Sequence, residues 1–270
     1  MTSTPATDKM APGSAPLHLK ELKAGDAATA ARWDAFVDTC PQATFFHKAG
    51  WQRIVSEVFK HRPHFLYAER AGTLEGVLPL AQVKSLLFGN SLVSLPFAMY
   101  GGVAALSQEA VELLEQEAQT RARRLRVDHL EMRNVEQRHA DWPTQDLYVR
   151  FRKEIAPEVE ANMLAIPRKQ RAMVRKGIKN GLRSELDADI DRFFALYADN
   201  VHRHGTPAFP RRYFQALREV FAADCEVLTV VDAMQRPLSS VLSFYFRDEV
   251  LPYSAGDELS ARELAANDFK

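Results

Sequence analysis

From Leu17 the chain alternates apolar and polar residues through LHLKEL, the period of a strand with one covered face. Two stretches of helical period follow, one over roughly 27–38 and one opened by Phe45, Phe46, Trp51, Ile54, Val55 and Val58. Next come three extended runs, PHFLYAER, TLEGVLPLAQV and NSLVSLPF, separated by Ala-Gly and Phe-Gly-Asn, which favour turns. They predict an antiparallel meander. QEAVELLEQEAQTRARRL regains the helical period with Ser107 placed to cap it, VDHLEMR returns to a strand, and DLYVRF reads as the last strand of this half.

The order then recurs. Helical patterns at 157–180 and 190–203 precede CEVLTVVDA, PLSSVLSFYF and EVLPYSAG, a second three-strand series, and SARELAAND starts a helix with Ser260 as its cap. In the first half the meander leads into a full helix and further strands, whereas in the second Lys270 arrives as the helix begins. Missing central strands would leave sheet edges unpaired, so the pattern predicts a second domain truncated at its C-terminus. The expected architecture is α/β (α+β), with a tail over 1–16, a first domain over 17–155 and an incomplete second domain over 156–270.

Composition narrows the function classes. The small, polar, Pro-containing first sixteen residues cannot bury enough apolar surface to order, and they lack the apolar region of a signal peptide. No run approaches the ~18 apolar residues of a membrane span. Cytoplasmic residence is expected, with peripheral association at a membrane compatible with it. Cys40 and Cys225, too few for a disulfide framework, read as buried thiols. Lys plus Arg number 35 against 35 Asp plus Glu, so nothing suggests wholesale nucleic-acid binding, and no DNA partner is expected.

Against that balance, IPRKQRAMVRKGIKNGL carries Arg168, Lys169, Arg171, Arg175, Lys176 and Lys179 with no acidic residue between Glu160 and Glu185. On a helix Arg168, Arg171, Arg175 and Lys179 fall on one face, with Lys169 and Lys176 on the flank. Three readings fit: a solvated surface helix, a grip on a phosphate-bearing ligand through Arg forks and Lys charge, and a nucleic-acid contact.

These residues also resemble a known family. Lys169, Arg171, Val174, Arg175, Lys176, Lys179, Asn180, Gly181 and Leu182 are similar to the signature opening the second domain of the Fem peptidoglycan aminoacyltransferases, and YADNVHRHGTPAFPRRYFQAL resembles a further segment of that family. LPFAMYGGVA and RPLSSVLSFYFRDEVLPYSAGDELSARELAANDF resemble FemAB-like proteins associated with exosortase/PEP-CTERM exopolysaccharide systems. The order of elements is that of the GNAT acyltransferase fold, an analogy of fold alone. The resemblance implies two tandem GNAT-like domains and transfer of an acyl or aminoacyl group to an amine of a sugar-nucleotide or lipid-linked saccharide in cell-envelope or exopolysaccharide synthesis. It implies substrate contacts at Lys48, Lys169, Arg171, Arg175 and Tyr213. The helical-arm insertion by which several Fem enzymes meet tRNA has no counterpart here. A non-catalytic protein that holds an anionic saccharide carrier is the alternative.

Acyl transfer to an amine needs a route for the ammonium proton and donors for a tetrahedral oxyanion. Tyr253, Ser254 and Gly256, at the end of the last strand pattern, occupy a fitting place, with Tyr253 as the catalytic candidate. A core tyrosine on an alternating strand is the equally weighted alternative. His202 and His204, two apart, point away from each other on a helix and suggest no metal pair. Tyr100-Gly101-Gly102 reads as a turn. The coenzyme A cradle of ordinary GNAT enzymes is not recognised, nor is GxGxxG or a P-loop. No cofactor is expected; the acyl donor is either aminoacyl-tRNA or acyl-coenzyme A.

Overall fold

The computed structural model of the chain describes residues 15–85, 87, 89–145 and 149–270, so the expected tail lies almost wholly outside the described residues. The fold divides into two units, Met1–Arg138 and His139–Lys270.

The first unit begins with β1 (Leu17–Glu21) and α1 (Ala27–Thr39), whose start is fixed by the Asp26 carboxylate accepting from the Thr29 amide at 3.0 Å. The short α2 (Trp51–Arg53) runs on as a wider π-type turn to Val58. Then come β2 (Arg62–Arg70), β3 (Thr73–Ser85), β4 (Gly89–Ser94), β5 (Ala104–Ala105), α3 (Gln108–Leu125) and β6 (His129–Glu131). The sheet order is β1-β2-β3-β4-β6, with β5 on β3, and only the β4–β6 pair is parallel. The Ser107 hydroxyl accepts from the Ala110 amide, as expected for the α3 cap. Ala110, Leu114, Ala118 and Ala122, at the helical four-residue spacing, lay α3 on Leu66, Leu78, Leu80 and Leu92 of the sheet. Trp33 stacks on Phe65, the neighbour of Leu66, and so covers the opposite face.

The second unit opens with α4 (Val159–Ala165) and α5 (Arg168–Lys179), two helices where the pattern suggested one over 157–180. Pro167 explains the break: the ring clashes with a helical predecessor, and Ile166 is extended at φ −75°, ψ 133°. There follow β7 (Arg183–Leu186), α6 (Asp191–Arg203), α7 (Arg211–Phe221), β8 (Cys225–Val231), β9 (Pro237–Phe246), β10 (Glu249–Asp257), α8 (Ala261–Leu264) and α9 (Ala266–Phe269). The sheet is antiparallel throughout, in the order β10-β9-β8-β7.

The repeat of the first unit is therefore β7, α6, α7 and the meander. β7 and α7 went unanticipated, and α4 and α5 precede the repeat rather than belong to it. Of the expected strand DLYVRF, residues 146–148 lie outside the described residues, and 149–151 form no strand. Ser260 precedes α8, but its hydroxyl donates to the Glu258 carboxylate and makes no capping bond. Ser260 itself has helical backbone angles, φ −75° and ψ −10°, rather than the extended ones of a capping residue.

Candidate functional site

The last strand of the second sheet holds the candidate residues Tyr253, Ser254 and Gly256. Pairing of β10 with β9 runs regularly from Glu249↔Phe246 to Pro252↔Ser243 and resumes at Ser254↔Leu242, leaving Tyr253 as a bulge. In a regular strand Tyr253 and Ser254 would face opposite sides of the sheet. The bulge cancels that alternation. Ser254 lies opposite buried Leu242, and the Tyr253 ring packs on Phe244, two residues further along the same face, with centroids 5.0 Å apart.

On that face the Tyr253 hydroxyl meets the Tyr213 hydroxyl of α7 at 2.5 Å. Tyr213 is fully buried among Phe209, Phe214 and Tyr253, because the apolar side of α7 (Tyr213, Phe214, Leu217, Phe221) forms the core against α6 and the sheet. Burial, and then the charge of Tyr253, push the Tyr213 phenol well above its ordinary range. Tyr213 therefore stays protonated at any physiological pH. Its reach to a ligand runs through the half-buried Tyr253. The sequence gives each tyrosine separately; their union, across forty residues of chain, depends on the bulge, for which no residue pattern announces itself.

Gly256 has a different task. A Cβ built on it would lie 2.3 Å from the Tyr197 amide nitrogen and 2.4 Å from the Tyr197 Cα, so the α6 backbone rests directly on β10 there. The glycine lets the helix backbone approach this closely.

The expected basic face of α5 exists. Gly177 packs on Phe269 of α9, where an added Cβ would come within 2.7 Å of the Phe269 Cβ. At 100° per residue, Arg168, Arg175 and Lys179 point away from that seat. They are exposed, as are Lys169 and Lys176, and no carboxylate pairs with any of the five among the described residues. Arg171 is turned back instead: its guanidinium donates to the carbonyls of Leu164, at 2.7 Å, and Ile166, at 3.0 Å, closing the end of α4. The structure thus separates Arg171 from the outward stripe to which sequence spacing assigned it.

Lys48, in the first unit, is mostly buried and pairs with Asp38 at 2.6 Å. The amides of Gly101 and Gly102 donate to the Arg133 carbonyl, and His47 donates through Nε2 to the Gly102 carbonyl at 2.8 Å, with its Nδ1 accepting from the Thr44 amide. The Tyr100-Gly101-Gly102 segment is a tied turn. Arg203 pairs with Asp199 at 3.0 Å and donates to the Asp257 carbonyl, which anchors the end of α6 to β10. Both cysteines are buried and unlinked, and burial pushes the Cys225 thiol up to about 12. Among the described residues no group of three or more His, Cys, Asp or Glu is arranged to hold a metal, and no helix is long and apolar enough to cross a membrane.

Comparison with known proteins places this geometry. Residues 168–269 match the family model described as an acetyltransferase (GNAT) domain. Among solved structures the chain is similar to FemX, with a TM-score of 0.67 and 13% identity over 93% of this chain and 83% of that one. It is also similar to a tandem GNAT protein from the clavulanic acid biosynthesis pathway, with a TM-score of 0.50 and 14% identity over 94% and 83% of the two chains. No curated protein matches the sequence. The bulged β10 and the tyrosine pair thus lie within the segment similar to a GNAT acetyltransferase domain, and the chain shares its fold with FemX.

Proposed function

We propose that the chain is an N-acyltransferase or aminoacyltransferase that modifies an amino group of a cell-envelope or exopolysaccharide precursor, carried on a sugar nucleotide or a lipid-linked saccharide. The observation that carries the reading is the bulge that sets Tyr253 and Ser254 on one face of β10, with the Tyr253 hydroxyl held by Tyr213. As the amine attacks the acyl carbon the bond to the donor breaks, and the Tyr253 oxygen can take the amine's proton while its own hydrogen passes to the departing oxygen of aminoacyl-tRNA or sulfur of acyl-coenzyme A. Tyr213, buried and kept protonated, holds the Tyr253 hydroxyl in place through the hydrogen bond between them. The Ser254 hydroxyl beside it is placed to donate to the oxyanion. The uncompensated cations of α5 support an acceptor bearing phosphate, with Arg168, Arg175 and Lys179 as its contacts and Lys169 on the flank. The FemAB-like segments of the sequence support the envelope and exopolysaccharide setting.

The test is transfer of a radiolabelled group from aminoacyl-tRNA or acyl-coenzyme A to amine-bearing sugar nucleotides and polyprenyl-diphosphate sugars. Turnover is expected with one donor, and Tyr253→Phe should lower kcat about a hundredfold with KM nearly unchanged. Full activity of Tyr253→Phe would remove the tyrosine from the mechanism. Saturable acceptor binding with no turnover from either donor would favour the non-catalytic carrier-binding alternative.

A further inference from the structure

The acid-free helix has apolar neighbours that the core does not use. α4 buries none of its seven residues, and its Val159 and Leu164 are 72% and 67% exposed. A helix this short is marginal in water, and packing usually supplies what propensity cannot. Ile178 of α5 is 55% exposed. It lies seven residues beyond Arg171 and so shares its flank. Arg171 in turn holds the Leu164 carbonyl at 2.7 Å, which brings the end of α4 to the same flank. Leu164 and Ile178 therefore border the stripe of Arg168, Arg175 and Lys179, with Lys176 and Lys169 on its other side. Glu158 and Glu160, at the far end of α4, mark the limit of the patch.

We infer that this α4–α5 face docks on an anionic lipid surface, the cations meeting headgroup phosphates while Leu164 and Ile178 enter the acyl boundary. Charge complementarity selects the occupant. A free diphosphate or an RNA backbone would use the cations but leave the apolar border in water, whereas the boundary of an anionic bilayer answers both together. The inference deepens the proposed function, because it makes the acceptor a lipid-linked saccharide delivered at the membrane rather than a soluble nucleotide.

The test is co-sedimentation of the full chain with vesicles of phosphatidylcholine alone or with about 30% phosphatidylglycerol, at low and high salt. Binding is expected only to the anionic vesicles, and weaker at high salt. Arg175→Gln with Lys179→Gln should lower the partition coefficient about thirtyfold, from about fivefold per cation. Leu164→Ser with Ile178→Ser should lower it severalfold at every salt concentration, while leaving any transfer to a water-soluble acceptor unchanged. Circular dichroism shows whether each variant is folded, and the lipid and salt dependence of the unaltered chain is read independently of them. The inference is overturned by no pelleting with either vesicle, by equal pelleting with both, by an inert Leu164/Ile178 variant, or by salt-sensitive retention of tRNA without vesicle binding. Absence of acyl transfer with intact vesicle binding would remove the proposed function and leave the lipid surface standing.

Discussion

β4 and β10 hold the same position in two copies of one topology, the last strand of a meander, yet they finish differently. β4 pairs regularly with β3 and runs parallel to β6. Its end is tied down, since the buried Ser94 hydroxyl accepts from the Arg133 amide at 2.6 Å and the Arg133 guanidinium donates to the Ala98 carbonyl at 2.6 Å. β10 carries the bulge and sets a phenol beside a hydroxyl on its helix-bearing face. One fold ends this strand in a backbone tie in one copy and in a bulge that joins two phenols in the other. The difference is a single extra residue in a ladder.

The comparison breaks most easily at the glycines where helix meets sheet. Gly256→Ala drives a Cβ to within 2.5 Å of three α6 backbone atoms, which cannot move singly, and should destabilise the second unit by about 3 kcal/mol or more in urea melts. Gly76→Ala, between β3 and α3 in the first unit, meets only side-chain carbons at 3.0 to 3.3 Å and should cost about 1 kcal/mol. Equal costs would mean the two helix seats are equivalent after all.

The tyrosine pair sharpens the contrast next. Tyr253→Phe strips the fully buried Tyr213 hydroxyl of its bond, so a loss of about 1–3 kcal/mol is expected. Tyr213→Phe leaves its half-buried partner able to turn to water and should cost less. Reversal of that order in denaturation would show that Tyr253, not Tyr213, is the sequestered member. In the first unit Ser94→Ala removes the tie at the β4 end and should cost about 1 kcal/mol without altering transfer kinetics.

The smallest effect concerns His64, buried in the first unit with Arg121 at 3.1 Å and Glu21 at 3.4 Å. Burial, followed by the Arg121 charge, lowers its pKa, while Glu21 opposes the shift and Arg62 adds to it. The folded state therefore resists a proton that the unfolded chain accepts below about pH 6.5. Stability should fall as pH drops through that value and level off once pH passes below the folded pKa. Thermal melts of His64→Leu across this range should depend less on pH. An unchanged slope would assign the acid sensitivity elsewhere.

Much of this fold was legible because its periods are strong. The alternation of PHFLYAER and TLEGVLPLAQV and the Ser107 cap of α3 all appear where the residues put them. β7 was invisible for the opposite reason: Arg183, Ser184 and Glu185 present no apolar alternation, and only the ladder to β8 makes them a strand. α7 did carry a signal, with Tyr213, Phe214, Leu217 and Phe221 at helical spacing after Pro210. For the site, Tyr253 and the basic stripe could be picked out singly. The bulge and the partnership with Tyr213 arise from long-range packing that no local pattern encodes, whereas the inward turn of Arg171 follows from the break at Pro167, which leaves the Leu164 and Ile166 carbonyls within its reach.

The seat of Gly177 against Phe269 has a consequence for the newborn chain. α5 emerges early, but the residue that holds its inner face lies roughly 100 residues later. At the usual pace of synthesis, about 5–20 residues per second, the helix spends some 5–20 seconds outside the ribosome before its partner emerges. During that interval its repelling cations have no fixed scaffold, and the stripe is not yet presented in one direction. Orientation of the charged surface is therefore a late event in biogenesis, timed by translation rather than by any ligand.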